Sequence, residues 1–187
     1  MAVALEAFLP SVGSPVRLLE SSPSPSPFVA RLAAAAPWLE AVHTPGAEGV
    51  PQLRVLGTHA HGEISFIGPV EGRVAEALAV LCRALATGDV EFDTPATPQL
   101  LRELETSVDL GVYVSPTCAF CPAVMAAVLR FAQATPQIDV TVFRADHVPL
   151  PGQRSVPAVV ANGELIAVGS IGEYDLAERL AESLKGS

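Results

Sequence analysis

The chain has 187 residues, 50% of them hydrophobic and 17% charged, enough apolar material to bury a substantial core as one domain or as two small ones. Its net charge of −9 argues against nucleic acid or an anionic membrane surface as partner, since both select for clustered Lys and Arg. Three cysteines are too few for a disulfide scaffold.

Met1 to Leu9 carries Glu6 and no basic residue ahead of its short apolar run, so it lacks the form of a secretory signal and a cytoplasmic chain is expected. Val16 to Glu20 reads as a strand, Ser21 to Pro27 as a stiff extended loop of alternating Ser and Pro, and Pro27 to Ala36 as a helix. His59-Ala60-His61 places two imidazoles on one side of an extended segment, a pattern commoner in solvated loops than at metals. Gly72 opens the helix Arg73 to Ala86. There Cys82 shares helical spacing with Ala75, Ala79 and Ala86 and reads as a small core residue.

In the second half Thr97 is predicted as an N-cap, with Pro98 at the first helical position and Leu100, Leu101 and Leu104 as the apolar side of a helix ending near Ser107. Asp109 to Ser115 is a strand, Pro122 to Ala134 a helix with hardly a polar face, and Ile138 to Phe143 a second strand. Pro157 to Ala161 and Glu164 to Val168 flank Asn162-Gly163, a strong hairpin signal. Gly172 precedes a last helix whose inward residues are expected to be Tyr174, Leu176, Ala177, Leu180 and Leu184. Leu110 to Leu129 is uncharged for 20 residues, about a bilayer's span. Ser115-Pro116-Thr117 and Pro122 interrupt it, so a buried strand, a turn and a buried helix account for it better.

Cys118-Ala119-Phe120-Cys121 falls at that strand-to-helix turn. The turn lets two thiols three residues apart approach, and the first sulfur sits where unpaired helix N–H groups and the positive end of the helix dipole favour a thiolate. The spacing alone also fits half of a zinc site, but no second C-x-x-C or H-x₃-H completes four ligands, so no metal is assigned. Phe120 is expected to be exposed as a flank of the turn.

The first half repeats the second. Val50-Pro51 matches Val156-Pro157, the run Gly62 to Gly68 matches Gly163 to Gly169, and Gly72 and Gly172 each open a terminal helix. Setting Pro27 on Pro122 puts Pro23 and Ser26 where Cys118 and Cys121 stand, so the first copy has lost its thiols. The predicted architecture is α/β: two tandem units, residues 1–92 without a cysteine pair and residues 93–187 with one, each a four-stranded mixed sheet with flanking helices.

The order β-α-β, hairpin, α, the Cys118/Cys121 turn, Val156-Pro157 and Gly169 together resemble the thioredoxin and glutaredoxin superfamily. The tandem arrangement is similar to the amino-terminal region of the alkyl hydroperoxide reductase flavoprotein subunit and to protein disulfide oxidoreductases. The resemblance implies that Cys118 and Cys121 are catalytic in thiol–disulfide exchange, that Pro157 is a cis-proline facing them, that Pro116, Phe120 and Val156 form an apolar rim for a substrate, and that this substrate is a protein disulfide or dithiol, with a peroxiredoxin as one such partner. No G-x-G-x-x-G fingerprint is present, so no cofactor beyond the disulfide itself is expected and a separate flavoprotein reductase would supply electrons. The alternative is a non-enzymatic module that senses redox state or binds a soft metal. Members of the superfamily commonly keep a buried carboxylate on the strand leading into the dithiol. Gly111-Val112-Tyr113-Val114 has none, and Asp109, Asp146 and His147 are the remaining candidates for a proton acceptor.

Overall fold

The computed structural model describes residues 9–46, 49–153 and 155–185. Eight strands and five helices follow in the order β1 (Val16–Ser22), α1 (Pro27–Ala35), β2 (Leu39–Pro45), β3 (Gln52–Gly57), β4 (Ile64–Ile67), α2 (Arg73–Thr87), α3 (Ala96–Arg102), β5 (Val108–Val114), α4 (Cys121–Ala134), β6 (Ile138–Arg144), β7 (Ala158–Ala161), β8 (Glu164–Val168) and α5 (Glu173–Lys185). The expected pair of four-stranded sheets is instead one continuous mixed sheet, ordered β2-β1-β3-β4-β6-β5-β7-β8. Within it the strands of each half keep the same internal order, with a parallel β-α-β pair and an antiparallel hairpin.

The two four-strand sets join because each would otherwise present an edge of unpaired backbone groups. β4 and β6 pair in parallel from Ile64 opposite Val140 to Ile67 opposite Phe143. Gly62 permits the approach: a Cβ there would lie 1.8 Å from the carbonyl oxygen of Ile138. The Gly62 N–H donates to Ala132 O at 2.8 Å, and the Glu63 N–H donates to the Asp139 carboxylate at 2.7 Å. The junction is therefore a hydrogen-bonded seam that tolerates no side chain at position 62.

Alternation in β1 and β6 buries Val16, Leu18, Ile138, Val140 and Val142 against the helices. Helix α4, whose one charged residue is Arg130, has neighbours on two sides: it packs on β5 and β6 and is flanked by α2 and α3. Val124, Met125, Val128 and Phe131 are all buried, which is why its sequence shows so little polar face. Helix α2 stops at Gly88, whose φ of +75° lets its N–H return to Ala84 O at 2.8 Å. Among the described residues no helix is long and apolar enough to cross a membrane.

Three local expectations are corrected. Helix α3 begins upstream of the predicted cap: Thr94 Oγ1 accepts from the Ala96 N–H at 3.2 Å, Pro95 has a helical φ of −65°, and Thr97 lies buried within the first turn. It ends at Arg102 and not near Ser107. In α5 the inward residue of the first turn is Glu173, not Tyr174, because Arg130 of α4 forms an ion pair with the buried Glu173 carboxylate. Strand β2 was not predicted; as an edge strand it buries only Leu39 and shows no alternation.

Candidate redox site

Helix α4 begins on Cys121 itself, with Pro122 in its first turn, so the C-x-x-C segment is the turn from β5 into the helix. Cys118 is half-buried at the surface of that turn and Cys121 is fully buried beneath it; both are free thiols. The Cys121 N–H donates to Cys118 Sγ at 3.1 Å, and Cys118 N–H donates to Ser115 O at 3.3 Å. Helix α4's first free N–H is thus directed at the outer sulfur, an interaction that strengthens when the acceptor carries charge.

Across the turn the Val156–Pro157 peptide bond is cis, and among the described residues it is the only cis bond, so Val50–Pro51 differs from it. Cys118 Sγ donates to Val156 O at 3.7 Å, Pro157 is buried, and Pro157 O accepts from the Gly169 N–H at 2.8 Å. Deprotonation of Cys118 removes the donor and leaves the Val156 carbonyl able to accept from another chain. Phe120 is 61% exposed, one of five large apolar side chains so placed among the described residues. Pro116 is half-buried, packed against Gly72 of the first half. The structure therefore brings Pro116, Cys118, Cys121, Val156 and Pro157 together, with Phe120 projecting beside them.

Burial pushes the Cys121 thiol up to about 12, reinforced by its hydrogen bond with Cys118 and opposed by a bond to the Ser115 backbone. No candidate acceptor relieves this. Asp146 is taken by a two-pronged bond from Arg144, Nε at 2.9 Å and Nη2 at 2.8 Å, which holds its carboxyl below the usual range. His147 lies 3.9 Å from the same carboxylate. Asp109 stands at the start of β5, where its N–H donates to Asn162 Oδ1, while the cysteine turn follows the strand's other end.

Sequence reasoning missed two participants. The Ser115 backbone bonds to the Cys121 thiol, a role no side-chain pattern announces. The segment Gly68–Arg73 of the first half reaches the turn, where the Arg73 N–H donates to Pro116 O at 3.4 Å. The other sequence candidates lie apart from this site. Cys82 is fully buried and pushed up to about 12 by that burial. His59 Nε2 meets Ser14 Oγ at 3.4 Å, and among the described residues no group of three His, Cys, Asp or Glu side chains is placed to hold a metal. In the first half Pro23 is exposed and Ser26 caps α1, its hydroxyl accepting from the Val29 N–H at 3.4 Å.

Residues 108–181 match the Thioredoxin domain family. That stretch spans β5 to α5, so the second half of the chain matches a thioredoxin domain. Its fold is similar to the N-terminal N/C domain of alkylhydroperoxide reductase AhpF from Enterococcus faecalis, with a TM-score of 0.79 at 19% identity over 94% of this chain and 95% of that one. It is also similar to a protein disulfide oxidoreductase from Aeropyrum pernix K1, with a TM-score of 0.76 at 22% identity over 97% of this chain and 91% of that one. At these identities the likeness establishes a shared thioredoxin-like fold that spans both halves of the chain. No curated protein matches the sequence.

Proposed function

We propose that the protein is a dithiol–disulfide oxidoreductase made of two tandem thioredoxin-like units, residues 1–92 and 93–187, with its chemistry in the second. The observation that carries this is the asymmetry of the pair: Cys118 half-exposed, accepting the first helical N–H, with Cys121 fully buried three residues on. The redox character of the thioredoxin-like fold and the name of the Aeropyrum neighbour support it.

In the reductive direction the Cys118 thiolate attacks one sulfur of a target disulfide, forming a mixed disulfide and expelling the target's other sulfur as thiolate. Cys121 then loses its proton to water and attacks Cys118 Sγ. That closes the Cys118–Cys121 disulfide and releases the target's second thiolate, so the protein gives two electrons and the target takes them. The reverse sequence oxidises a dithiol. Val156 O, Pro116 and Phe120 flank Cys118 and suit an extended polypeptide substrate.

A peroxiredoxin is one fitting partner and a separate flavoprotein reductase a fitting electron donor, a reading supported by the likeness to the AhpF domain. The work would be done in the cytoplasm, where thiols are held reduced. The test is catalysis of a protein disulfide's reduction by dithiothreitol. The proposal expects a rate well above that of dithiothreitol alone, abolished by Cys118→Ser. A wild-type protein giving no acceleration overturns it and leaves the non-enzymatic sensing module.

A further inference from the structure

The first half has no cysteine pair, yet one of its loops lies against the cysteine turn. After β4 the chain runs Gly68-Pro69-Val70-Glu71-Gly72 into Arg73, the first residue of α2. Gly72 has a φ of +54°, and a Cβ there would sit 3.0 Å from Pro116 O and 3.2 Å from Pro116 Cβ. With the Arg73 N–H on Pro116 O, the loop meets Pro116 through both packing and a hydrogen bond. Pro116 is two residues before Cys118, and its neighbour Ser115 bonds to the backbone of Cys118 and to the thiol of Cys121.

The loop is itself anchored from the second half. Arg144, the last residue of β6, is paired with Val114 at the end of β5 and is 4% exposed. Its Nη1 donates to Pro69 O at 2.6 Å while Nε and Nη2 hold Asp146. Gly68, with a φ of +114°, leaves room for the arginine stem: a Cβ there would lie 2.4 Å from Arg144 Cβ. A continuous path of contacts thus runs from Arg144 through Pro69 and Gly72 to Pro116 and both cysteines.

We infer that the first half supplies one wall of the redox site, and that Arg144 is a positioning residue which, through the Gly68–Arg73 loop, holds the Ser115–Cys118 turn in the geometry that closes the Cys118–Cys121 disulfide. The inference rests on the oxidoreductase reading. Two thiols held close have a high effective concentration for ring closure, and loosening or displacing their turn lowers it. The disulfide form then loses ground to the dithiol.

The experiment equilibrates the full-length chain with mixtures of reduced and oxidised glutathione and counts free thiols at Cys118 and Cys121. Gly72→Ala, which presses on Pro116, and Arg144→Gln, which drops the Pro69 contact, are each expected to move the equilibrium about tenfold toward the dithiol, a shift of about 30 mV. Arg144→Lys, which keeps a cationic donor for Pro69 O, is expected to stay near the wild type. Arg54→Ala, which breaks an exposed ion pair with Glu63 elsewhere in the first half, is expected to match it. Circular dichroism of each variant establishes that it is folded; if Arg144→Gln does not fold, Gly72→Ala decides. Folded variants with the wild-type constant overturn this inference alone. A wild-type chain that forms no reversible disulfide overturns the oxidoreductase reading and this inference with it.

Discussion

Release of substrate should depend steeply on pH, because Cys121 must ionise where it is fully buried. Its thiol is pushed up to about 12, against about 8.5 for a free cysteine. At pH 7 that difference leaves roughly three orders of magnitude less thiolate, equivalent to about 4 kcal/mol. A thiolate of higher pKa is the better nucleophile, and a Brønsted coefficient of about 0.45 returns a little under half of that factor on a logarithmic scale, so resolution is slowed by roughly one to two orders of magnitude relative to an unperturbed thiol. Burial is the largest cause and persists when Cys118 is tied up in a mixed disulfide. The assay loads Cys118 with 5-thio-2-nitrobenzoate and follows the coloured thiolate as Cys121 displaces it in a stopped-flow mixer. The rate constant should climb about tenfold per pH unit from about pH 6 to about pH 10 without levelling. A plateau at pH 8–9 would show Cys121 titrating like a free thiol and refute the reasoning.

The other predictions concern single residues. Cys121→Ser should accumulate mixed disulfides with protein substrates on a non-reducing gel, while Cys118→Ser should form none and lose essentially all turnover. Phe120→Ala should raise KM for a protein substrate about tenfold through lost apolar contact, with no change toward a small disulfide. Cys82 and Cys121 both keep their protons in the folded state to about pH 12, so stability is lost as pH rises above the unfolded value of about 8.5, by up to 1.4 kcal/mol per pH unit for each thiol. Cys82→Ala should therefore flatten the fall of the urea midpoint between about pH 8 and about pH 10.5; an unchanged slope would count against it. Gly62→Ala should cost more than about 3 kcal/mol in urea unfolding by forcing β4 and β6 apart, and a wild-type midpoint would show that the seam yields easily.

The cysteine turn and the hairpin were legible because each carries a local signature: two sulfurs at a strand-to-helix junction, and Asn162-Gly163 between two short strands. Asn162 has a φ of +50° and Gly163 one of +84°, as such a turn requires. The seam was hidden by the repeat itself. Gly62 and Gly163 align, yet Gly163 has open space around it while Gly62 is pressed by the carbonyl of Ile138, so one residue type serves two purposes. Joining the halves into one sheet is a decision between distant backbones, which no local pattern records. Thr97 and Tyr174 failed for a related reason. An earlier threonine and proline took the cap, and a distant arginine drew Glu173 inward, in each case a contact outranking local preference.

The missing carboxylate is found in the other half. Glu20 is the fifth residue of β1 and Val112 the fifth of β5, each on the inner strand that leads toward a helix start. Glu20 is 8% exposed and spends its oxygens on the Ser22 hydroxyl at 3.0 Å and the Ser26 N–H at 2.9 Å. There it organises a proline-rich turn that has no sulfur to serve. Val112 is fully buried and brings no acceptor to the strand before the dithiol. A buried carboxylate needs partners that keep it satisfied, and the first half provides them in Ser22 and Ser26; without them a carboxylate at position 112 would carry an uncompensated desolvation cost. The apolar choice at Val112 therefore suits the packing of the second half, and its consequence is chemical. On the proposed mechanism Cys121 is left to water for deprotonation, and its raised pKa would make resolution the step that sets how long a partner stays bound at neutral pH.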